Sequence, residues 1–135
     1  MIFETLESVK YNIEVETGKI PKQPKEYYYG NREYKLKITN CNDKKIIKRS
    51  TQMLFRLHEG NGKAIYLIGI DDNGNIAGLT LEDMNISLNN IIKIATVSNC
   101  IIKKIKIYQY ITDTNNNYKF IIILRLTKEL DELTL

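Results

Sequence analysis

An almost unbroken apolar run, Ile65-Tyr66-Leu67-Ile68-Gly69-Ile70, ends directly in the paired acids Asp71 and Asp72. No other stretch constrains the chain more. The run is too short for a stable helix and rich in β-favouring side chains, so it reads as a buried central strand. Asn73-Gly74 follows, a pair in which both residues tolerate positive φ and which therefore signals a tight turn. Asn75-Ile76-Ala77-Gly78-Leu79 is then expected to return as the second arm of a hairpin. A central strand that ends in carboxylates beside a turn is the first place to look for chemistry.

The other elements group around that strand. Glu33, Lys35 and Lys37 alternate with Tyr34, Leu36 and Ile38, which predicts a strand over 31–39 with one charged and one apolar face. Ile46, Ser50, Met53, Leu54 and Leu57 recur at helical spacing, so a helix is expected over 43–58, capped by Asn42 or Asp43. Its opposite face carries Lys44, Lys45, Lys48 and Arg49. Thr80 is placed to cap a second helix running to about Val97, with Met84, Leu88, Ile91, Ile92 and Ala95 as its stripe. Ile101 to Asp113 reads as a long strand with Ile101, Ile105, Ile107 and Ile111 inward. Tyr118 to Thr127 is its return strand, across the loop Thr114-Asn115-Asn116-Asn117. Earlier, 11–16 alternates as a short strand would, and Pro21 and Pro24 forbid regular structure around them. Tyr27, Tyr28 and Tyr29 stand in a row, and packing over the domain edge is preferred to stacking on bases.

This order implies a single α+β domain, with two helices on one face of a mixed or mostly antiparallel sheet. The expected division is an extension over 1–30, the domain over 31–127 and a short tail over 128–135. With 43% hydrophobic residues a real core is affordable in a chain of 135 residues. No run approaches the roughly 20 apolar residues of a membrane span, and Met1-Ile2-Phe3-Glu4 lacks a secretory layout. Cys41 and Cys100 fit no metal-ligand spacing and are expected to be reduced thiols, so the cytoplasm is the expected compartment. A net charge of +4 permits nucleic acid as a partner without requiring it.

Several chemistries lack their parts. His58, the lone histidine, has no serine or cysteine motif beside it, and a surface or capping role is expected. His58-Glu59-Gly60-Asn61-Gly62-Lys63 lacks the spacing of a phosphate-wrapping loop, and Asp71-Asp72-Asn73-Gly74 lacks the later glutamate of a calcium loop. What remains is carboxylates and a basic face. Glu33 and Asp72 are candidates for holding Mg²⁺ or Mn²⁺ against a phosphodiester, with Lys35 and Lys37 steadying the phosphate. The plainer alternative, preferred from the residues alone, is that Asp71 and Asp72 cap a turn while Glu33 pairs with a lysine. Lys104, Lys106, Tyr108 and Tyr110 interleave cations and rings along one strand face, a pattern that suits single-stranded nucleic acid. A solvated strand face fits it equally well.

Three segments in register carry a resemblance: Glu33-Tyr34-Lys35-Leu36-Lys37, Thr51-Gln52-Met53 with Arg56-Leu57-His58-Glu59-Gly60-Asn61-Gly62, and Ile68-Gly69-Ile70-Asp71-Asp72-Asn73-Gly74. They resemble the region that precedes the GTPase domain in the GTP-binding protein 1 family of elongation-factor-like translational GTPases, over roughly 26–127. More distantly they resemble the Schlafen family and its divergent Alba-like core. The first resemblance implies an RNA- or ribosome-associated binding module without the GTPase domain itself, with a GTPase domain or partner chain as its companion and no cofactor. The second implies a metal-dependent endoribonuclease using Mg or Mn, in which Glu33, Lys35 and Asp72 match the motif, with the Glu33 and Asp72 carboxylates within roughly 8 Å. Tyr28 stands where that pattern calls for a further glutamate, and Glu26 lies nearby but out of register. A protein–protein interaction module is the third reading.

Overall fold

The computed structural model describes residues 11–112 and 117–129. Five strands form one mixed sheet: β1 (Ile13–Thr17), β2 (Arg32–Lys35), β3 (Lys63–Ile68), β4 (Ile101–Thr112) and β5 (Asn117–Thr127). Their order is β1-β4-β5-β3-β2, so β1 and β2 are the edges. Pairing is parallel for β1–β4 and β2–β3 and antiparallel for β3–β5 and β4–β5. Helices α1 (Asp43–Glu59) and α2 (Leu81–Val97) pack on one face. The α+β expectation therefore holds. No helix of the described residues is long and apolar enough to cross a membrane.

Local chemistry sets the helix ends. The Asn42 side chain accepts from Lys45 N–H and the Thr80 hydroxyl from Asp83 N–H, which satisfies amides that have no partner within the helix. Met53 and Leu57 of α1, and Met84, Ile91 and Ile94 of α2, meet Ile68, Ile105, Ile107, Phe120, Ile122 and Leu124 of the sheet in one core cluster.

Four expectations are corrected. The strand over 31–39 is only Arg32–Lys35, because beyond Lys35 the chain leaves β3: Gly69 N–H and Ile70 N–H both turn to the Lys35 carbonyl. The return arm after Asn73-Gly74 makes only isolated bridges, Ile70 to Ile76 and Leu79 to Phe120. In β4 the inward residue is Ile102, not Ile101, which is exposed, and Ile111, also expected inward, is exposed at the far end of the strand. A bulge between Ile102 and Lys104 inserts one residue and shifts the alternation that periodicity had extended through it. Finally, the three tyrosines do not pack away: Tyr27, Tyr28 and Tyr29 are 71%, 76% and 69% exposed.

Residues 11–30, read from the sequence as an extension, supply β1 and a strap across the face of the sheet opposite the helices. Ile20 joins a second apolar cluster there with Tyr34, Leu67, Ile70, Tyr110 and Ile121. The Tyr34 hydroxyl donates to the Pro24 carbonyl at 2.7 Å, Gln23 N–H to the Gly74 carbonyl and Glu26 N–H to the Asp72 carbonyl. The turn and the strap touch so closely at Gly74 (φ +87°) that a Cβ there would lie 1.9 Å from the Gln23 carbonyl oxygen. Glycine is thus required by the strap as well as by the turn. Residues 113–116 and 130–135, the latter most of the expected tail, lie outside the described residues.

Candidate functional site: a basic cleft at the β2 edge

Where α1 crosses the β2 edge of the sheet, a cleft of about 700 Å³ opens, lined by Glu26, Tyr28, Glu33, Lys35, Lys45, Lys48, Arg49, Thr51, Gln52, Phe55 and Arg56. The helix supplies one wall because Lys45, Lys48, Arg49, Gln52, Phe55 and Arg56 fall three or four residues apart along one stripe.

At the base of the cleft is a buried ion pair. Arg56 and Glu33 are 4% and 2% exposed, and Arg56 Nε donates to Glu33 Oε1 at 2.8 Å. The rest of the guanidinium fork holds the chain that precedes β2: Nη1 donates to the carbonyls of Tyr28 (3.1 Å) and Gly30 (2.8 Å), and Nη2 to that of Tyr27 (3.0 Å). Gly30 N–H donates to Glu59 at 3.0 Å. The other Glu33 oxygen lies 3.3 Å from Lys35 Nζ. A planar five-donor cation suits this role, since one side chain fixes four acceptors at once.

Glu26, out of register with the Schlafen pattern, sits in the cleft. Its carboxylate accepts from Tyr34 N–H and so blocks the open edge of β2. Burial, with the Glu33 and Asp72 charges adding to it, pushes its acid upward despite that hydrogen bond. In the folded state the neutral acid is therefore favoured relative to the unfolded chain, and the burial penalty on the charged form is felt at neutral pH and relieved as pH falls through the raised value. Glu26→Gln keeps an acceptor without the charge. It is expected to unfold at a slightly higher urea concentration than the unmodified chain at pH 7, with the difference closing as pH falls through the raised value. A Gln variant less stable at pH 7 would mean that the ionised form is required there.

Asp71 and Asp72 divide their roles. The Asp71 carboxylate accepts from Asn73 N–H and Asn75 N–H, both at 2.9 Å, and from the Asn75 side chain. Those bonds, Asn75 N–H foremost, hold its acid below the usual carboxylate range. It is a turn cap, as the plainer reading had it. Asp72 is exposed, beyond the end of β3 and next to the strap. β2 and β3 are neighbours, as expected for Glu33 and Asp72. The set is nevertheless a poor fit to a divalent metal: both Glu33 oxygens already face cations, and among the described residues no three acidic, histidine or cysteine side chains are grouped to hold one. Tyr66, the register partner of Glu33, places in the same layer a buried hydroxyl that has no hydrogen-bond partner among the described residues. Burial and then the Glu33 charge push its phenol well above the ordinary value.

The second face anticipated from sequence is built differently. β1 brings Glu14 to 3.0 Å from Lys104 and Glu16 to 3.7 Å from Lys106, so this patch carries its own acids. Tyr108 is half-buried beside Ile123 and Arg125. Tyr110 is 8% exposed in the strap cluster, with Lys19 above its ring, so it is not open to a stacking base. Lys37 pairs with Asp83 at 3.6 Å. By contrast, Lys45, Lys48 and Arg49 have no acidic partner among the described residues, and the Arg49 Nε is buried without a hydrogen bond.

No family model matches the chain, and no solved structure matches it. It is 44% identical over 75 residues to GTP-binding protein 2 of mouse and of human, a stretch that covers 56% of this chain and 12% of each of those proteins. It is also 38% identical over 68 residues to an uncharacterized protein of Acanthamoeba polyphaga mimivirus, covering 50% of this chain and 37% of that protein. The chain thus spans about one eighth of the length of GTP-binding protein 2. The resemblance to a translational-GTPase-like family is supported to that extent.

Proposed function

We propose that this chain is an RNA-binding module that seats the phosphate backbone in the cleft between α1 and the β2 edge. One observation carries the reading: Lys45, Lys48 and Arg49 line that cleft with no acidic ion-pair partner among the described residues, while Lys37, Lys104 and Lys106 are each paired elsewhere. Concave basic surfaces attract a polyanion by releasing its condensed counterions, and a guanidinium can add directed hydrogen bonds to phosphate oxygens. Exposed tyrosines beside the cations are the usual accompaniment of base contact. The partial similarity to GTP-binding protein 2 is consistent with a module that serves a GTPase on RNA, ribosomal RNA included. Cleavage is not part of the proposal, since the Glu33 and Glu26 carboxylates are committed to Arg56, Lys35 and Tyr34 N–H and Asp72 stands apart from them at the surface.

Mapping tests the location. Isotope-labelled protein titrated with a short oligoadenylate is expected to shift amides of 27–30 and of α1 from Lys45 to Arg56, and to leave β4 quiet. Lys104→Ala with Lys106→Ala is expected to leave affinity nearly unchanged. Shifts concentrated on 104–110, with affinity lost in that double variant, would move the site to the other face of the sheet.

A further inference from the structure

The arch Tyr27-Tyr28-Tyr29-Gly30 presents its rings in two directions. Tyr28 lines the basic cleft, whereas Tyr27 and Tyr29 line a separate hollow of about 200 Å³ with Pro24, Arg32 and Tyr34. Of the three rings, only the middle one lines the cleft with Lys45, Lys48 and Arg49. That ring is supported: it meets Tyr29 edge-on at 4.9 Å between centroids (88° between planes) and leans on Phe55 at 5.8 Å. Still, 76% of the residue is open. Its backbone is equally fixed, because Arg56 holds the carbonyls of Tyr27, Tyr28 and Gly30.

Resting on the RNA reading above, we infer that Tyr28 is a stacking platform for one unpaired base, so that the cleft selects single-stranded over duplex RNA. Sugar-phosphate charge is available in both forms of RNA, and lysines alone would not tell them apart. A base face is available only where the strand is unpaired. The aromatic ring is held before the ligand arrives, so little ordering is needed on binding. Arg56 acts through the arch and touches no ligand; it is a positioning residue.

Fluorescence anisotropy with a labelled oligoadenylate and with an RNA duplex of the same length tests this. Tyr28→Ala is expected to lower single-strand affinity by about 5- to 150-fold, the range for losing one stacked base, while duplex affinity hardly moves. Tyr28→Phe keeps a ring and should keep the discrimination, and Tyr27→Ala should keep it too. Circular dichroism shows whether each variant is folded; the exposure of these side chains leaves the core intact. Equal loss on both probes in Tyr28→Ala, or a Tyr28→Phe variant that behaves like alanine, overturns the stacking inference and leaves the RNA reading standing. Absence of salt-dependent binding to either probe overturns both.

Discussion

Arg56→Ala is expected to destabilise the fold by about 3–5 kcal/mol, the range for removing one partner of a buried ion pair. Glu33 is 2% exposed and would be left with Lys35 alone, at 3.3 Å and on the solvent side. The carbonyls of Tyr27, Tyr28 and Gly30 would lose their donor at the same time, although water can reach that exposed segment. Against a typical total of roughly 5–15 kcal/mol, the loss is a large share of what holds a domain of this size together. Urea unfolding reads it as a lower midpoint. Arg56→Lys should fall between, because an ammonium cannot reach four acceptors in a plane. Arg56→Met combined with Glu33→Leu should recover much of the loss, since the penalty comes from the stranded carboxylate rather than from the missing attraction. A loss in Arg56→Ala below about 1 kcal/mol is what an exposed pair gives, and would show that Glu33 finds water or another partner.

The residue that does most at the site was thus the hardest to find in the sequence. Periodicity exposed the apolar stripe of α1 through Ile46, Ser50, Met53 and Leu57, and the caps at Asn42 and Thr80 were legible because capping is local. Arg56 lies three residues beyond Met53 and one before Leu57, on the margin of that stripe. A charged residue there signals a buried partner, but the partner, Glu33, is 23 positions away and meets it only through the β2–α1–β3 crossover. Glu26 had no local signal whatever. It reaches the edge of β2 because Pro24 and the turn at Gly74 steer the strap, a contact between segments distant in sequence. The face of Lys104, Lys106 and Tyr108 was read correctly as one face, but β1 pairs with β4 in parallel across some ninety residues, and alternation within β4 gives no hint of the Glu14 and Glu16 beside it. The basic side of α1 was visible from the start; what was missing was the wall opposite it that makes a cleft.

That cleft is the central claim, and the salt dependence of binding tests it most directly. Affinity for a short oligoadenylate should fall linearly on a log–log plot against salt, with a slope of about 0.7 per phosphate contact. In the variant Lys45→Gln, Lys48→Gln and Arg49→Gln, three contacts are removed while the helix and its apolar stripe are kept. The slope should become shallower by about 2, and affinity near 0.15 M salt should drop on the order of 50-fold, as the same counterion relation gives for three contacts. A triple variant with the slope and affinity of the unmodified chain, folded by circular dichroism, would contradict the account.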